Sequence, residues 1–191
     1  MNLESINRVH FIGIGGIGMS ALAKFFLYKG VEVSGYDRSK TEITLLLSNL
    51  GSHIIYHDDI SSIKDIESVD LVVFTPAISS NNVQLNHFKK TNIPVHKRAY
   101  ILGEITKSYQ TIAVAGTHGK TTTSSIVAHL LHQNNCGGVS FIGGICTNYN
   151  SNILLQEGQN AVVEADEYDR SFLQLHPCLL YTSPSPRDLR K

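Results

Sequence analysis

Apolar runs of strand length alternate along this chain with longer segments of helical periodicity. Strands are predicted at residues 8–14, 31–37, 69–76, 93–97, 110–116 and 160–166. Helices are predicted at residues 16–28, 40–50, 82–91, 98–107 and 120–134. Short apolar strands that alternate with amphipathic helices are typical of a parallel sheet covered by helices. The sequence therefore predicts an α/β fold.

Two of the strand–helix junctions are glycine-rich turns, GIGGIG at 13–18 and GTHGK at 116–120. One sheet seldom carries two such turns, so the chain is predicted to hold two domains. We expect a Rossmann-like parallel-sheet domain at 1–107 and the incomplete start of a P-loop ATPase-like α/β domain at 108–177. Residues 178–191 hold two prolines and little apolar periodicity, and we expect a disordered tail that is foreign to the rest of a truncated chain.

Composition and charge exclude several classes of protein. Hydrophobic residues make up 42% of the chain, and sixteen basic residues balance sixteen acidic ones. No dense run of lysine and arginine occurs, so neither a nucleic-acid surface nor an anionic-membrane surface is predicted. The N-terminus is unlike a signal peptide and no apolar run is long enough to cross a bilayer, which favours a cytoplasmic protein. Cys136, Cys146 and Cys178 form no CxxC pair and are predicted to be reduced thiols.

The first glycine turn has the spacing GxGxxG, formed by Gly13, Gly15 and Gly18. Side chains there would block a tight turn and the approach of a diphosphate, and the following helix would supply free N–H donors. Asp37 ends the next predicted strand, where an acid can bond a ribose hydroxyl. The expected ligand carries a diphosphate and a ribose, so NAD and a sugar nucleotide both remain possible, and a purely structural turn is the alternative.

The second turn has the residues of a nucleoside-triphosphate site. Lys120 offers a mobile cation to the β- and γ-phosphates, and Thr121 offers a hydroxyl to Mg²⁺. An acidic cluster follows the last predicted strand, and Glu164 or Asp166 is predicted as a second Mg²⁺ ligand. The turn is two residues shorter than the usual phosphate loop.

The remaining polar clusters carry weaker chemistry. His118 lies inside the second turn and is predicted to contact nucleotide or acyl phosphate. His129 and His132 lie one helical turn apart without a third metal ligand, which favours a role on the helix surface, and the run at 57–59 is interpreted as a polar turn. No set of residues typical of a covalent hydrolase has a supporting context.

Five motifs together resemble the Mur ligase family. The resemblance runs from about Arg8 to Pro177, and the short Gly-x-x-Gly-Lys-Thr turn is the form found in that family. The motifs are VHFIGIGGIGMSALA near the N-terminus, TPAI at 75–78, KRAYILGEI at 97–105, AVAGTHGKTTTS at 113–124 and VVEADEYDRSFL at 162–173.

The resemblance implies a role for each glycine turn. The N-terminal domain would hold the uridine-diphosphate end of UDP-N-acetylmuramate through Gly13, Gly15, Gly16, Gly18, Asp37, Thr75, Pro76 and Ala77. The central domain would hold ATP through Gly116, Thr117, His118, Gly119, Lys120, Thr121 and Thr122. Lys120 and His118 would be catalytic, and Thr121 and Glu164 would bind Mg²⁺. Residues 143–152 and His118 would face the sugar–lactyl end.

The resemblance also implies the reaction. A lactyl carboxylate attacks the γ-phosphate of ATP, and the amine of L-alanine displaces phosphate from the resulting acyl phosphate, in the synthesis of a peptidoglycan precursor. The alternative is a module that binds a UDP-sugar or a dinucleotide without ligase activity. An NAD-dependent oxidoreductase is disfavoured because hydride transfer does not need Lys120 and Thr121.

Overall fold

The computed structural model describes residues 1–167 and 171–184. The chain divides into two compact units, Met1–Ile101 and Leu102–Lys191. None of the helices in these described ranges has the length and apolarity that a bilayer crossing demands.

The first unit is a parallel sheet with helices in the connections. In chain order it contains β1 (Arg8–Ile12), α1 (Ile17–Tyr28), β2 (Glu32–Tyr36), α2 (Glu42–Asn49), β3 (His53–Ile55), β4 (Leu71–Phe74), α3 (Val83–Phe88), β5 (Val95–Lys97) and the start of α4 (Arg98–Thr106). The strand order is β3-β2-β1-β4-β5, and every pairing is parallel. The order reverses between β1 and β4, and the crevice at such a switch point is where open α/β sheets bind ligands.

The central strand β1 is buried on both faces. Phe11 packs edge-on against Phe26 of α1, with ring centroids 6.1 Å apart. Its neighbour Ile12 belongs to the cluster that includes Leu85 and Phe88 of α3. Because successive strand residues face opposite sides, these contacts place α1 and α3 on opposite faces of the sheet. This double burial explains why β1 is apolar on both faces from Val9 to Ile12, apart from the buried His10.

The second unit is built on a mixed sheet. It contains the rest of α4, β6 (Gln110–Ala115), α5 (Lys120–Gln133), β7 (Gly138–Cys146), β8 (Ser151–Leu155), β9 (Asn160–Glu164) and β10 (Leu179–Thr182). The strand order is β10-β6-β9-β7-β8, in which only the pairing of β7 with β8 is antiparallel. Ala128 of α5 packs with Ile142, Leu154 and Val162 of the sheet.

The α/β fold is confirmed, but four strands were not predicted. β3 has three residues, too few for a period to show. β7 contains three glycines, which interrupt its apolar pattern. β8 follows a polar turn and is short, so its pattern was not recognised as a strand. The second unit therefore has five strands where the sequence indicated two.

The predicted disorder of residues 178–191 is wrong for Leu179–Thr182. These residues form β10, parallel to β6, with Leu179 opposite Ile112 and Thr182 opposite Ala115. All four side chains are exposed, so pairing of backbone groups at the edge of β6, and not apolar burial, orders the segment. Residues 185–191 lie outside the described residues.

Candidate functional site

The glycine turn of the first unit joins β1 to α1 at the carboxyl edge of the sheet. Gly13 has a φ of +87°, and a Cβ there would lie 2.6 Å from Cγ2 of Thr75. Only glycine fits both conditions. The N–H groups of Gly13 and Ile14 donate to the carbonyl of Tyr36 at 2.8 and 3.0 Å. The turn is therefore fixed to the end of β2.

Asp37 is bonded to this turn. Its Oδ2 accepts a hydrogen bond of 2.7 Å from the N–H of Gly15, and its Oδ1 accepts one of 3.1 Å from Ser39 N–H. A Cβ on Gly15 would lie 2.8 Å from Oδ2, so a side chain there would push the carboxylate away. A carboxylate has about four acceptor positions. Asp37 can therefore hold the loop and still accept from a ribose hydroxyl.

A pocket of about 550 Å³ opens beside the turn. Gly13, Gly16, Asp37, Thr75 and Ala77 line this pocket, and all five belong to the residues that the family resemblance assigns to the UDP-sugar; Pro76, assigned with them, is not in the lining. Gly15 and Gly18 contact Asp37 and Arg98 instead. The pocket lining also includes residues that were not predicted, namely Tyr36, Arg38, Asp58, Ile78, Ser79, Asn81 and Asn82.

Asp58 was missed because it follows β3, which the sequence did not reveal. Its carboxylate accepts from the N–H groups of Val83 and Gln84 at 2.8 and 3.1 Å, at the start of α3. The next residue, Asp59, accepts from the hydroxyls of Ser61 and Ser62, and these bonds lower the pKa of its carboxyl group. Asp58 and Asp59 thus have hydrogen-bond partners within the protein, and Asp58 also lines the pocket, which the interpretation of residues 57–59 as a polar turn did not include.

The second glycine turn joins β6 to α5. Gly119 is the N-cap of α5 with a φ of +79°, a conformation that favours glycine. The ammonium group of Lys120 donates to the carbonyl of Gly116 at 2.7 Å and so closes the turn. Thr117, His118, Thr121 and Thr122 are exposed around it. Ser183 lies against the turn, since a Cβ on Gly119 would lie 2.8 Å from its Oγ.

Glu164 lies beside this turn at the end of β9, which neighbours β6. Its Oε2 accepts from the hydroxyl of Thr121 at 3.2 Å, and its Oε1 accepts from Ser124 Oγ at 2.9 Å and Gly143 N–H at 2.8 Å. The structure thus brings together Thr121 and Glu164. Ser124 and Gly143 were missed as partners of Glu164, although Ser124 lies one helical turn after Thr121 and that spacing could have indicated it.

The donor set around Glu164 fits Mg²⁺. In the described ranges, no three His, Cys, Asp or Glu side chains cluster as a metal site would require. Glu164 and Thr121 offer hard oxygen atoms, and Mg²⁺ typically takes one or two protein ligands together with water and phosphate oxygens. Of the two predicted acids, Glu164 bonds to Thr121 through its side chain. The backbone carbonyl of Asp166 accepts from Phe172 N–H and from the hydroxyl of Ser171.

The other predicted clusters have structural partners. Nδ1 of His129 lies 2.8 Å from the hydroxyl of Tyr149, and the ring of His132 lies 5.1 Å from the ring of Tyr149. Both histidines are half-buried and contact Tyr149, so they help to pack α5 against the segment between β7 and β8. The three cysteines are free, as predicted. Residues 143–152 form the end of β7, a turn and the start of β8, where Tyr149 packs on α5.

Comparison with protein families gives two consecutive matches. Residues 8–110 match "Mur ligase family, catalytic domain", and residues 114–168 match "Mur ligase middle domain". The first match alone covers more than half of the chain.

Two curated relatives are named UDP-N-acetylmuramate--L-alanine ligase. The protein of Flavobacterium johnsoniae is 51% identical over 179 residues, which cover 93% of this chain and 40% of the relative. That of Parabacteroides distasonis is 46% identical over 194 residues, which cover 99% of this chain and 42% of the relative. The chain therefore spans about 40% of the length of these relatives.

Solved structures give the same fold. The UDP-N-acetylmuramate-alanine ligase of Thermotoga maritima superimposes with a TM-score of 0.81 at 31% identity, over 95% of this chain and 42% of that one. A UDP-N-acetylmuramate:L-alanyl-gamma-D-glutamyl-meso-diaminopimelate ligase from Neisseria superimposes with a TM-score of 0.83 at 25% identity, over 98% of this chain and 64% of that one.

Proposed function

Because the chain belongs to the Mur ligase family, we propose that it carries the nucleotide sites of an ATP-dependent ligase that joins L-alanine to UDP-N-acetylmuramate. The names of the relatives support this substrate pair. The two glycine turns divide the work: the first unit holds the UDP-sugar, and the second holds ATP and Mg²⁺.

In the first unit, the pocket beside the glycine turn binds the UDP part. Gly13, Gly15, Gly16 and Gly18 let the diphosphate approach the backbone, and Asp37 accepts from the ribose. Thr75, Pro76 and Ala77 form the opposite wall at the end of β4, since Thr75 and Ala77 line the pocket.

In the second unit, the turn from Gly116 to Thr122 binds ATP. Lys120 releases the carbonyl of Gly116 and donates to the β- and γ-phosphate oxygens. Glu164 and the hydroxyl of Thr121 would hold Mg²⁺, which would supply neutralisation of charge on the phosphates. The exposed His118 lies at the entrance of the turn, where its ring can donate to an acyl-phosphate oxygen.

The chain's residues bind and orient the reactants and do not form covalent bonds. The lactyl carboxylate attacks the γ-phosphorus in line and ADP leaves. The amine of L-alanine then attacks the acyl carbon, and phosphate leaves as the amide forms. Alignment of the carboxylate with the γ-phosphate and neutralisation of charge by Lys120 supply most of the rate gain in such a transfer.

The observation that carries this function is the bonding of Thr121 to Glu164. A triphosphate turn and an acid from the neighbouring strand meet at 3.2 Å. Hydride transfer has no use for such a pair, whereas phosphoryl transfer requires a site for Mg²⁺.

A thermal-shift comparison tests the proposal on the 191-residue chain. A ligand at 100 times its dissociation constant stabilises the native state by about 2.7 kcal/mol. We expect UDP-N-acetylmuramate and Mg²⁺-ATP each to raise the melting temperature, and NADH and NADPH to leave it unchanged. A larger shift with NADH than with the UDP-sugar would contradict the proposed substrate.

A further inference from the structure

An arginine outside the predicted site lies against the first glycine turn. Arg98 is the first residue of α4 and directly follows β5. A Cβ on Gly18 would lie 2.9 Å from Cδ of Arg98 and 3.0 Å from its Nη1. The side chain of Arg98 therefore covers the position that a side chain at residue 18 would need.

The guanidinium of Arg98 has no hydrogen-bond or ion-pair partner among the residues that the structure describes. By contrast, the guanidinium of Arg8 bonds to Glu32, Ser68 and the carbonyl of Asp65. Arg98 is half-buried, and its five N–H donors form a fork that fits phosphate oxygens. In the described ranges Ser52 Oγ is the one buried side-chain polar atom without a partner, so the guanidinium donors of Arg98 are not sealed from solvent. The fork is therefore accessible and can bind an anion.

The position of Arg98 relative to the sheet indicates which anion it binds. β2 and β5 lie on opposite sides of the β1–β4 pair. Arg38, which follows β2, lines the pocket. Arg98 is not in the pocket lining and lies against Gly18, at the start of the helix that follows the glycine turn. The pocket also contains the carboxylates of Asp37 and Asp58, which repel a dianionic diphosphate unless cations offset them.

We propose that Arg98 binds the diphosphate of the UDP-sugar from the β5 side of the glycine turn, and that Gly18 is required because it admits this side chain. The proposal rests on the proposed function, since it adds a ligand to the same site. Gly18 then acts through Arg98, as a positioning residue.

Calorimetric titration of the 191-residue chain tests the contact. UDP-N-acetylmuramate, UMP and inorganic pyrophosphate are compared in the wild type, Arg98→Gln, Arg98→Lys and Lys97→Gln. Lys97 is the matched control, because it is an exposed cation one residue away. Unliganded melting curves check that each variant folds.

We expect Arg98→Gln to weaken binding of the UDP-sugar and of pyrophosphate by roughly 10- to 100-fold, as for the loss of one charged hydrogen-bonding group. Arg98→Lys should lose less, because it keeps the charge without the fork. Lys97→Gln should stay within about 2-fold, since exposed charges are screened. An unchanged affinity in Arg98→Gln, or an equal loss in Lys97→Gln, would overturn the proposal.

Gly18→Ala tests the role of the glycine. Its methyl group should displace the guanidinium and weaken binding about as much as Arg98→Gln does, while the double variant should lose no more than either single variant. Additive losses would show that Gly18 acts independently of Arg98.

The same titrations separate this inference from the proposed function. If the wild type binds pyrophosphate but not the UDP-sugar, and Arg98→Gln loses the binding of pyrophosphate, the result would support the role of Arg98 and refute the sugar nucleotide. A wild type that binds no diphosphate compound would refute both.

Discussion

The two glycine turns share a strand–turn–helix plan but place their charges differently. In the first unit, the acid Asp37 bonds the turn itself, through the N–H of Gly15. In the second, the cation Lys120 is part of the turn, and the acid Glu164 bonds hydroxyl groups of the following helix. The first turn is bonded by a carboxylate that follows β2, whereas the second turn itself contains an ammonium group.

This difference separates a turn that holds phosphates from one that can transfer them. A carboxylate bonded to the turn supports a ribose but cannot stabilise charge that develops on a phosphoryl group. In the proposed function, Lys120 and Glu164 would lie where such charge develops. The first turn is thus suited to a diphosphate that leaves unchanged, and the second to a triphosphate that is cleaved.

The largest effect is expected from a side chain placed in the first turn. Gly15→Val should abolish binding of UDP-N-acetylmuramate, because the side chain would meet Asp37 and block the backbone. The loss should be about 100-fold or more, since several charged hydrogen bonds to the diphosphate would be lost together. Calorimetry measures both nucleotides, and Mg²⁺-ATP affinity should be unchanged. Loss of both ligands would show that the two turns are not independent.

The converse variant is Lys120→Ala. Removal of the ammonium group should weaken Mg²⁺-ATP binding by roughly 10- to 100-fold, because one charged hydrogen-bonding partner is lost. Affinity for the UDP-sugar, measured in the same titration series, serves as the internal control and should not change. An ATP affinity within about 2-fold of the wild type would show that Lys120 remains bonded to the Gly116 carbonyl and does not bind phosphate.

A smaller effect is expected at Glu164. Glu164→Gln keeps the shape of the side chain but removes the charge, so the Mg²⁺ concentration needed for ATP binding should rise by about 10-fold, since Mg²⁺ is bound through one or two carboxylates. Glu167→Gln, an exposed acid three residues later, is the matched control. An equal rise in both variants would indicate a general effect of negative charge and not a ligand.

The sequence predicted much of these two turns because their chemistry is local. A strand, a glycine turn and a helix are contiguous, so Gly13, Gly119 and Lys120 could be placed without tertiary information. Hydrogen-bond partners from distant segments of the chain were harder to predict. Glu164 was proposed because acids at strand ends meet the turn of a neighbouring strand, but Gly143 bonds to it across 21 positions, and no local pattern indicates that contact.

The same limit applies to the fold and to the first pocket. Asp58 follows β3, a three-residue strand that was not predicted. β5 and α4 were predicted, but Arg98 and Gly18 are distant in the chain, and no local pattern indicates that they lie side by side. β10 shows the opposite case, because its exposed side chains give no apolar pattern while its backbone pairs with β6. Non-local hydrogen bonding decided the structure at each of these positions.

The smallest expected effect is a pH dependence of the stability of the first unit, caused by a buried histidine. His10 lies in β1, with Nδ1 2.9 Å from Ser34 Oγ and Nε2 3.0 Å from Gln84 Oε1. Burial lowers the pKa of His10 from its ordinary value of 6.5 to about 4. In the unfolded chain, His10 therefore takes up a proton as the pH falls through 6.5. In the folded first unit, its imidazole stays neutral until the pH approaches 4. Stability from this residue is complete above pH 6.5 and declines below it, by about 1 kcal/mol between pH 7.5 and 5.5.

Urea unfolding followed by hydrogen exchange of the β1 and β2 amides measures this decline in the first unit. His10→Asn should be less stable at pH 7.5 and lose the pH dependence, whereas His57→Gln, which removes an exposed histidine from the same unit, should keep it. A decline that persists in His10→Asn would assign the pH dependence to other groups.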